Sequence, residues 1–490
     1  MKTNKAQNNI SYGKMLSAFK ILAGATLLTV ILGIATTKII AIVAGTNGIA
    51  LIGLYRNLIG MVVTILSMGM STVIVQRIST TTDIDTRDEL ISTVILLLLF
   101  QIAVVVMLSL FFSETISIWM FGPHADSSHP LWIKIVLLMA IGTMIMQAMI
   151  AVLNGKVNLK PITIINVVSS ISTFVLVYPL IKTGDIGLAF VVGSGSMIGA
   201  CLGISMVWRI YGLRIRSLPA TIKSGNFFSK LPVSGYLSLH PILMTTTFLS
   251  IQVIVNNYYG VNSLGFYNAV TTIETTSIML IMSSVRSYYL PVLGQLDSQV
   301  NKEVFVNKMI TMLSIFLLPV SVCLILGSKY ILWILYSEKF IPAANLLALQ
   351  SMVLVLHAYV WCYAFYLNHK AHYGTYLMLD GMWAFLLIGG VWYFSSHGFP
   401  LIAVFINYLI TSLILFSLYL VVIRIRYGKG MLHTRNIKLG LTMFLIVVLS
   451  FIISQKAGLL VQIIYFSAIV AYTCYLIKKY LFQEPLLRCQ

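Results

Sequence analysis

The sequence predicts an all-α polytopic membrane protein with about 14 transmembrane helices, and three observations carry that prediction. Of 490 residues, 59% are hydrophobic and only 9% charged, where a soluble chain shows about half and about a quarter. The mean hydropathy is +0.95, so too few polar groups exist to dress a water-facing surface. The apolar residues also fall in runs of about 20, the length needed to cross hydrocarbon as a helix. Ten-residue alternating segments, the mark of an outer-membrane barrel, are not the pattern.

The runs are read in order as 16–40, 49–75, 90–112, 131–153, 161–181, 187–208, 235–256, 265–290, 309–327, 343–366, 374–394, 400–422, 439–455 and 459–480. The first follows Lys2, Lys5 and Lys14 and is too long for a signal-peptide core. It also lacks a convincing small-residue cleavage site, so it is expected to be retained. Most connections are short. The longer ones, 77–89, 113–130, 209–234 and 423–438, are too small for a folded extramembrane domain.

Charge sets the orientation. Of the 32 Lys and Arg residues, 23 fall at the termini and in the loops on their side, and only Lys182, Lys329, Lys339 and Lys456 on the other. Positive residues stay inside, so both termini are expected in the cytoplasm. The net +19 would suggest nucleic acid in a soluble protein; in a membrane chain it reports topology, and no nucleic-acid partner is expected. Basic loop 209–234 divides an N-terminal six-helix lobe, 1–208, from a second, 235–422. Residues 423–490 add a basic loop and a helix pair. Two six-helix lobes joined by a long cytoplasmic linker are a transporter layout, with binding expected where the halves meet.

Ionisable residues inside spans are costly and mark function by default. Arg56, in GLYRNL, is read as an anion contact in a cavity, or as a side chain snorkelling to the outer interface. Lys20 and Lys38 are 18 residues apart, five whole turns, so they share one face of the first span. They either snorkel at the two interfaces or offer positive charge to an anion at each opening. Glu274, in TTIETT, lies too deep to snorkel. Desolvation favours a neutral carboxyl, which suggests a proton- or cation-linked group or a structural partner for a cation such as Arg56. Arg286 is nearer the cytoplasmic end and reads as an interfacial anchor. Asp380 lies two turns inside its span. His240 and His357 read as hydrogen-bonded packing residues, since no histidine pair has metal-ligand spacing. Gly195, Gly199 and Gly203 recur every four residues, a stripe for close helix packing.

No GxxxxGK[ST], GxSxG or HExxH occurs, so neither nucleotide hydrolysis nor an enzyme activity is expected. The five cysteines, Cys201, Cys323, Cys362, Cys474 and Cys489, form no CxxC. No metal and no cofactor is expected.

Three stretches carry a resemblance: IIAIVAGTNGIALIGLYRNLIGMVVTILSMGMSTVIVQ (39–76), YYGVNSLGFYNAVTTIETTSIMLIMSSVRSYYLPVLGQL (258–296) and ILYSEKFIPAANLLALQSMVLVLHAYVWCYAFYLNHKAHYGTYLMLD (334–380). They resemble Wzx-type O-antigen flippases, in the polysaccharide transporter branch of the multidrug/oligosaccharidyl-lipid/polysaccharide (MOP) superfamily. The resemblance implies alternating access by two six-helix lobes around a central cavity. It also implies an undecaprenyl-pyrophosphate-linked oligosaccharide carried between leaflets of a bacterial inner membrane, in lipopolysaccharide biosynthesis. Membrane lipid, a polysaccharide polymerase and a chain-length regulator are the partners it implies. Arg56 falls where the family tends to place a basic residue, and Glu274 and Asp380 where it places acids. The terminal pair exceeds the commonest twelve-span pattern.

Two rivals stand beside this reading. A drug or cation exporter of the same fold calls for an acidic cavity, whereas the spans hold five basic residues against Glu274 and Asp380. A glycosyl polymerase or acyltransferase calls for a large external loop or an intramembrane catalytic constellation.

Overall fold

The computed structural model describes residues 12–479 except 82, 123–125, 157, 213–234, 297, 371 and 429–433. The expected linker 209–234 therefore lies outside the described residues from 213 onward, as does Cys489. Two compact units are distinguished, Met1–Leu249 and Ser250–Gln490.

Unit 1 is built from α1 (Tyr12–Val43), α2 (Gly45–Ser67), α3 (Met70–Thr80), α4 (Ile84–Phe111), α5 (Ser113–Phe121), α6 (His129–Asn154), α7 (Leu159–Ile181) and α8 (Asp185–Tyr211). At about 1.5 Å per residue the longer of these exceed the roughly 30 Å of hydrocarbon. Lipid tails are as apolar as leucine, so burying leucine gains little over leaving it in lipid. Helix association then rests on close packing of small residues. α8 shows this: Gly199 and Gly203 receive Met146 and Met149 of α6, and Gly195 lies against Ser169 and Thr173 of α7. The expected glycine stripe is a packing seam. Outward faces carry apolar side chains; on α4 these are Leu99, Phe100, Met107, Leu110 and Phe111.

α9 (Gly235–Gln295) breaks at Gly260, whose φ of 81° and ψ of 170° interrupt the helix. Past it, unit 2 holds α10 (Gln299–Leu326), α11 (Ser328–Leu335), α12 (Ala344–Ser351), α13 (Val353–His369), α14 (Tyr373–Ser396), α15 (Ile402–Tyr427), α16 (Thr434–Lys456) and α17 (Leu459–Ile477). α10 packs on α13, α16 and α17, and α15 on α13 and α14.

Among the described residues, 13 stretches are long and apolar enough to cross a membrane; one, Ser238–Met279, runs through the Gly260 break and supplies two crossings. About fourteen transmembrane helices is therefore the architecture. Several boundaries differ from the hydropathy reading. The second run splits into α2 and α3, and the tenth into a 3₁₀ turn (Glu338–Ala343), α12 and α13. Connections 77–89 and 113–130, expected as loops, contain helix: α4 begins at Ile84 and α5 fills Ser113–Phe121. Hydropathy follows the membrane, whereas helix hydrogen bonding continues past it wherever a cap is available. Asp83 supplies one for α4, its carboxylate accepting from the Thr86 N–H at 2.9 Å.

Candidate functional site

In unit 1 the chemistry sits on α2. The helix enters through Gly45, at φ 66°, immediately after the first span. Leu54, Tyr55, Leu58, Ile59, Val62 and Val63 turn inward and are buried. The remaining face carries Gly53, Arg56, Asn57, Gly60 and Thr64, at offsets of three, four, seven and eleven, which is one side of a helix. Arg56 is exposed on unit 1 and the others are half-buried; a methyl group built on Gly60 would meet nothing within 4 Å. A face turned to acyl chains is dressed in Leu, Phe and Met, as α4 is. This one is open and polar, a surface suited to water or a polar ligand. Arg56 is also deeper than the hydropathy reading placed it. α2 starts at Gly45, so Arg56 lies 11 residues in, about 16 Å along the axis. Lys38 is half-buried on α1; Lys20 belongs to the same helix, but its side chain lies outside the described residues, as does that of Arg286.

In unit 2 the chemistry is buried. Glu274 lies 14 residues past Gly260 and is 2% exposed. Its neighbouring hydroxyls serve their own helix: Thr271 donates to the Tyr267 carbonyl, Thr275 to Thr271 and Ser277 to Ile273. What faces the carboxylate is His357 of α13, with Nδ1 3.6 Å from Glu274 Oε1. Neither atom has a hydrogen-bond partner among the described residues. Aromatic rings enclose the pair: Trp361 stacks parallel to His357 with centroids 6.3 Å apart, and Tyr408 stands edge-on at 6.1 Å. Trp383 meets Tyr408 in turn at 5.7 Å. His357, expected as a packing residue, also faces Glu274 across that 3.6 Å separation. Asp380 of α14 is buried and accepts a hydrogen bond from the Tyr419 hydroxyl of α15 at 3.0 Å.

The structure thus brings Glu274 together with His357, and Asp380 with Tyr419. Arg56 and Lys38 lie in the other unit. Among the described residues no three His, Cys, Asp or Glu side chains gather as a metal site.

His357 was illegible in the sequence because its partner is 83 positions away on another helix. One signal was available for the entry into these helices. Gly45-x-Asn47 precedes Gly53-Leu-Tyr55, and Gly260-x-Asn262 precedes Gly265-Phe-Tyr267. Both leading glycines have positive φ and both tyrosines are buried, so a positive-φ glycine precedes the helix of Arg56 and that of Glu274 alike.

Long apolar helices, kinked at glycine and carrying a few intramembrane charges, define a multi-pass membrane protein of transporter architecture. Solved structures agree on the fold. Lipid II flippase MurJ in an inward closed conformation matches with a TM-score of 0.72 at 17% identity, covering 94% of this chain and 99% of its own. An inward-facing multidrug resistance MATE family transporter of the MOP superfamily matches at 0.65 and 16%, over 87% and 99%. A MOP superfamily transporter from Pyrococcus furiosus matches at 0.55 and 15%, over 83% and 96%. No curated protein matches the sequence. The family model for polysaccharide biosynthesis proteins covers residues 16–297, more than half the chain. The chain belongs to that family, with the fold of MOP-superfamily transporters.

Proposed function

We propose that the protein is a flippase that carries an undecaprenyl-pyrophosphate-linked oligosaccharide, an O-antigen-type repeat unit, from the cytoplasmic to the periplasmic leaflet. The open polar face of α2 around Arg56 is the observation that carries this reading. A diphosphate with sugars attached cannot cross hydrocarbon, because burying unpaired charge costs many kcal/mol. It needs a hydrated route with a cation, and a guanidinium binds phosphate oxygens through two parallel hydrogen bonds. Lys38 and Lys20, at two levels of one helix, would meet the same anion near either opening, while the prenyl tail stays in lipid.

In this reading residues 1–208 and 235–422 form the two lobes of an alternating-access cycle, and 423–490 the appended helix pair. Both termini face the cytoplasm of a bacterial inner membrane. Glu274 with His357 takes up and releases a proton to drive the cycle, and Asp380 holds its lobe's cavity side through Tyr419. The exported unit passes to a polymerase working with a chain-length regulator. Membership of the polysaccharide biosynthesis family and the fold shared with a lipid II flippase support the substrate class.

A buried carboxylate also suits the second reading, a cation or drug exporter on the fold shared with the MATE transporter. A deletion strain separates the two. The flippase reading expects single repeat units on undecaprenyl carriers to accumulate at the cytoplasmic face, without restoration by Arg56→Ala. Unimpaired glycan export together with new drug sensitivity would establish the exporter instead.

A further inference from the structure

We propose that α3 is a hinged gate segment, which must leave its seat on α6 in each transport cycle. α2 stops at Ser67 and α3 starts at Met70, with no proline to force the break. Met68 (φ 42°, ψ 40°) and Gly69 (φ 72°, ψ 10°) are both left-handed. Among the described residues Met68 is the one non-glycine with positive φ, a conformation in which its Cβ crowds the following carbonyl. Its side chain is 51% exposed, so packing does not compel that conformation.

The joint is nevertheless a finished structure. Gln101 of α4, itself buried, donates from Nε2 to the Leu66 carbonyl at 2.8 Å, satisfying an acceptor that the break frees. Such a strained element, held by a hydrogen bond from a neighbouring helix, points to a function for the strain. A continuous helix would have served a static strut.

The far end of α3 is held lightly. The Lys156 ammonium, exposed, donates to the Thr81 carbonyl at 2.7 Å. Between joint and latch, Val73, Ile74 and Ile78 are buried, while Thr72, Gln76, Ser79 and Thr80 face outward. Ile78 lies directly over Gly155 at the end of α6, where a Cβ would come within 2.6 Å of the Ile78 Cβ. Three buried apolar side chains, packing on α6 and α4, and one lysine therefore seat an 11-residue helix that pivots on two left-handed residues. The latch also has a natural trigger. Its acceptor is a neutral carbonyl dipole, whereas an anion would attract the ammonium with a full opposite charge. An anionic head group at this end of unit 1 therefore draws Lys156 away. The trigger rests on the proposed substrate, whereas the hinge does not.

The test uses the full-length chain with its five cysteines replaced by alanine. Ile78→Cys with Gly155→Cys, cross-linked by oxidation, should lower glycan export at least tenfold, and reductant should restore it. Export that continues unchanged in fully cross-linked protein overturns the proposal. The single Ile78→Cys variant keeps the question decidable if the pair fails to fold or to cross-link. A polar maleimide should label it slowly in membranes, and added Lys156→Ala should raise the labelling rate several-fold. Labelling that is absent, or indifferent to Lys156→Ala, overturns the hinge. Because labelling needs no transport, a wrong substrate assignment and a wrong hinge give different results.

Discussion

Neutralising Glu274 and His357 singly and together tests whether they are a charge pair. Their facing atoms are 3.6 Å apart, with Glu274 2% and His357 9% exposed. At an effective dielectric of about 20, two unit charges at that separation attract by roughly 4–5 kcal/mol. Removing one partner of such a buried pair typically costs about 3–5 kcal/mol, because the other charge is left unpaired. Glu274→Gln and His357→Gln keep the side chains polar. Each single variant should therefore lose several kcal/mol in reversible unfolding from mixed micelles. The double variant strands no charge and should be at least as stable as either single one. The coupling energy, the part of the double effect not given by the sum of the singles, should exceed about 2 kcal/mol. Additive losses would refute the charge pair and return His357 to packing. If the pair is charged, the same variants bear on transport. Glu274→Gln should stop export driven by an imposed proton gradient in proteoliposomes, measured on the fraction of protein that remains folded.

Arg56→Ala should abolish export without lowering expression, and Arg56→Lys should keep part of it because charge survives while the two-point phosphate contact does not; complementation of the deletion strain reads both. Gly195→Leu forces a side chain into Ser169 and Thr173 of α7, and overpacking of this kind costs about 1–3 kcal/mol, to be seen as a lower melting temperature in detergent. Met68→Gly relieves a left-handed side chain worth about 1–2 kcal/mol, so it should stabilise unit 1 while keeping the α2–α3 break. The Thr86 hydroxyl and N–H hold the Asp83 carboxyl below its ordinary value of 3.8. A lowered folded value means the cap is intact above the unfolded value and is lost as pH falls through the folded one. Exchange protection at the start of α4 should stay flat from neutral pH down to about 4 and fall below that, whereas Asp83→Asn should remove the dependence.

The membrane class and the number of crossings could be read from the sequence because both follow from local composition: about twenty apolar residues cross, and charge stays out. The glycine stripe on α8 was legible for the same reason, since a four-residue period names a helix face without knowledge of its partner. Interruptions were not legible. Met68 gives no local reason to leave the helix, and the group that completes the break, Gln101, arrives from α4. The site divides the same way. Arg56, Glu274 and Asp380 stand out because charge in an apolar run is visible anywhere, but the partners of Glu274 and Asp380 come from other helices. Tyr419 lies 39 positions from Asp380. Long-range pairing is set by packing, and one sequence records only its result.

The repeated entry motif shows how one scaffold holds two chemistries. After the glycine of positive φ, both helices bury a tyrosine, Tyr55 at 0% and Tyr267 at 3% exposure. The distance from that glycine to the tyrosine is ten residues in the first copy and seven in the second, a difference of about one turn. The residue following the tyrosine differs more. Arg56 is exposed on the open face of α2, whereas Asn268 is buried and accepts a hydrogen bond from Gln252 Nε2 at 2.6 Å. In the second copy the charge appears instead at Glu274, turned inward to His357. A shared fold sets backbone and turn, while function follows from where the side chains depart from the repeat. An exposed cation suits a ligand that arrives and leaves, and a buried acid paired with an imidazole suits a proton that changes the state of one unit. Exchanging the pair, with Arg56→Asn and Asn268→Arg, should therefore fail twice: the first change removes the anion contact, and the second places an unpaired guanidinium in a buried site, at a cost of several kcal/mol. Export restored by the exchange would show that the two copies are chemically equivalent and that the asymmetry carries no function.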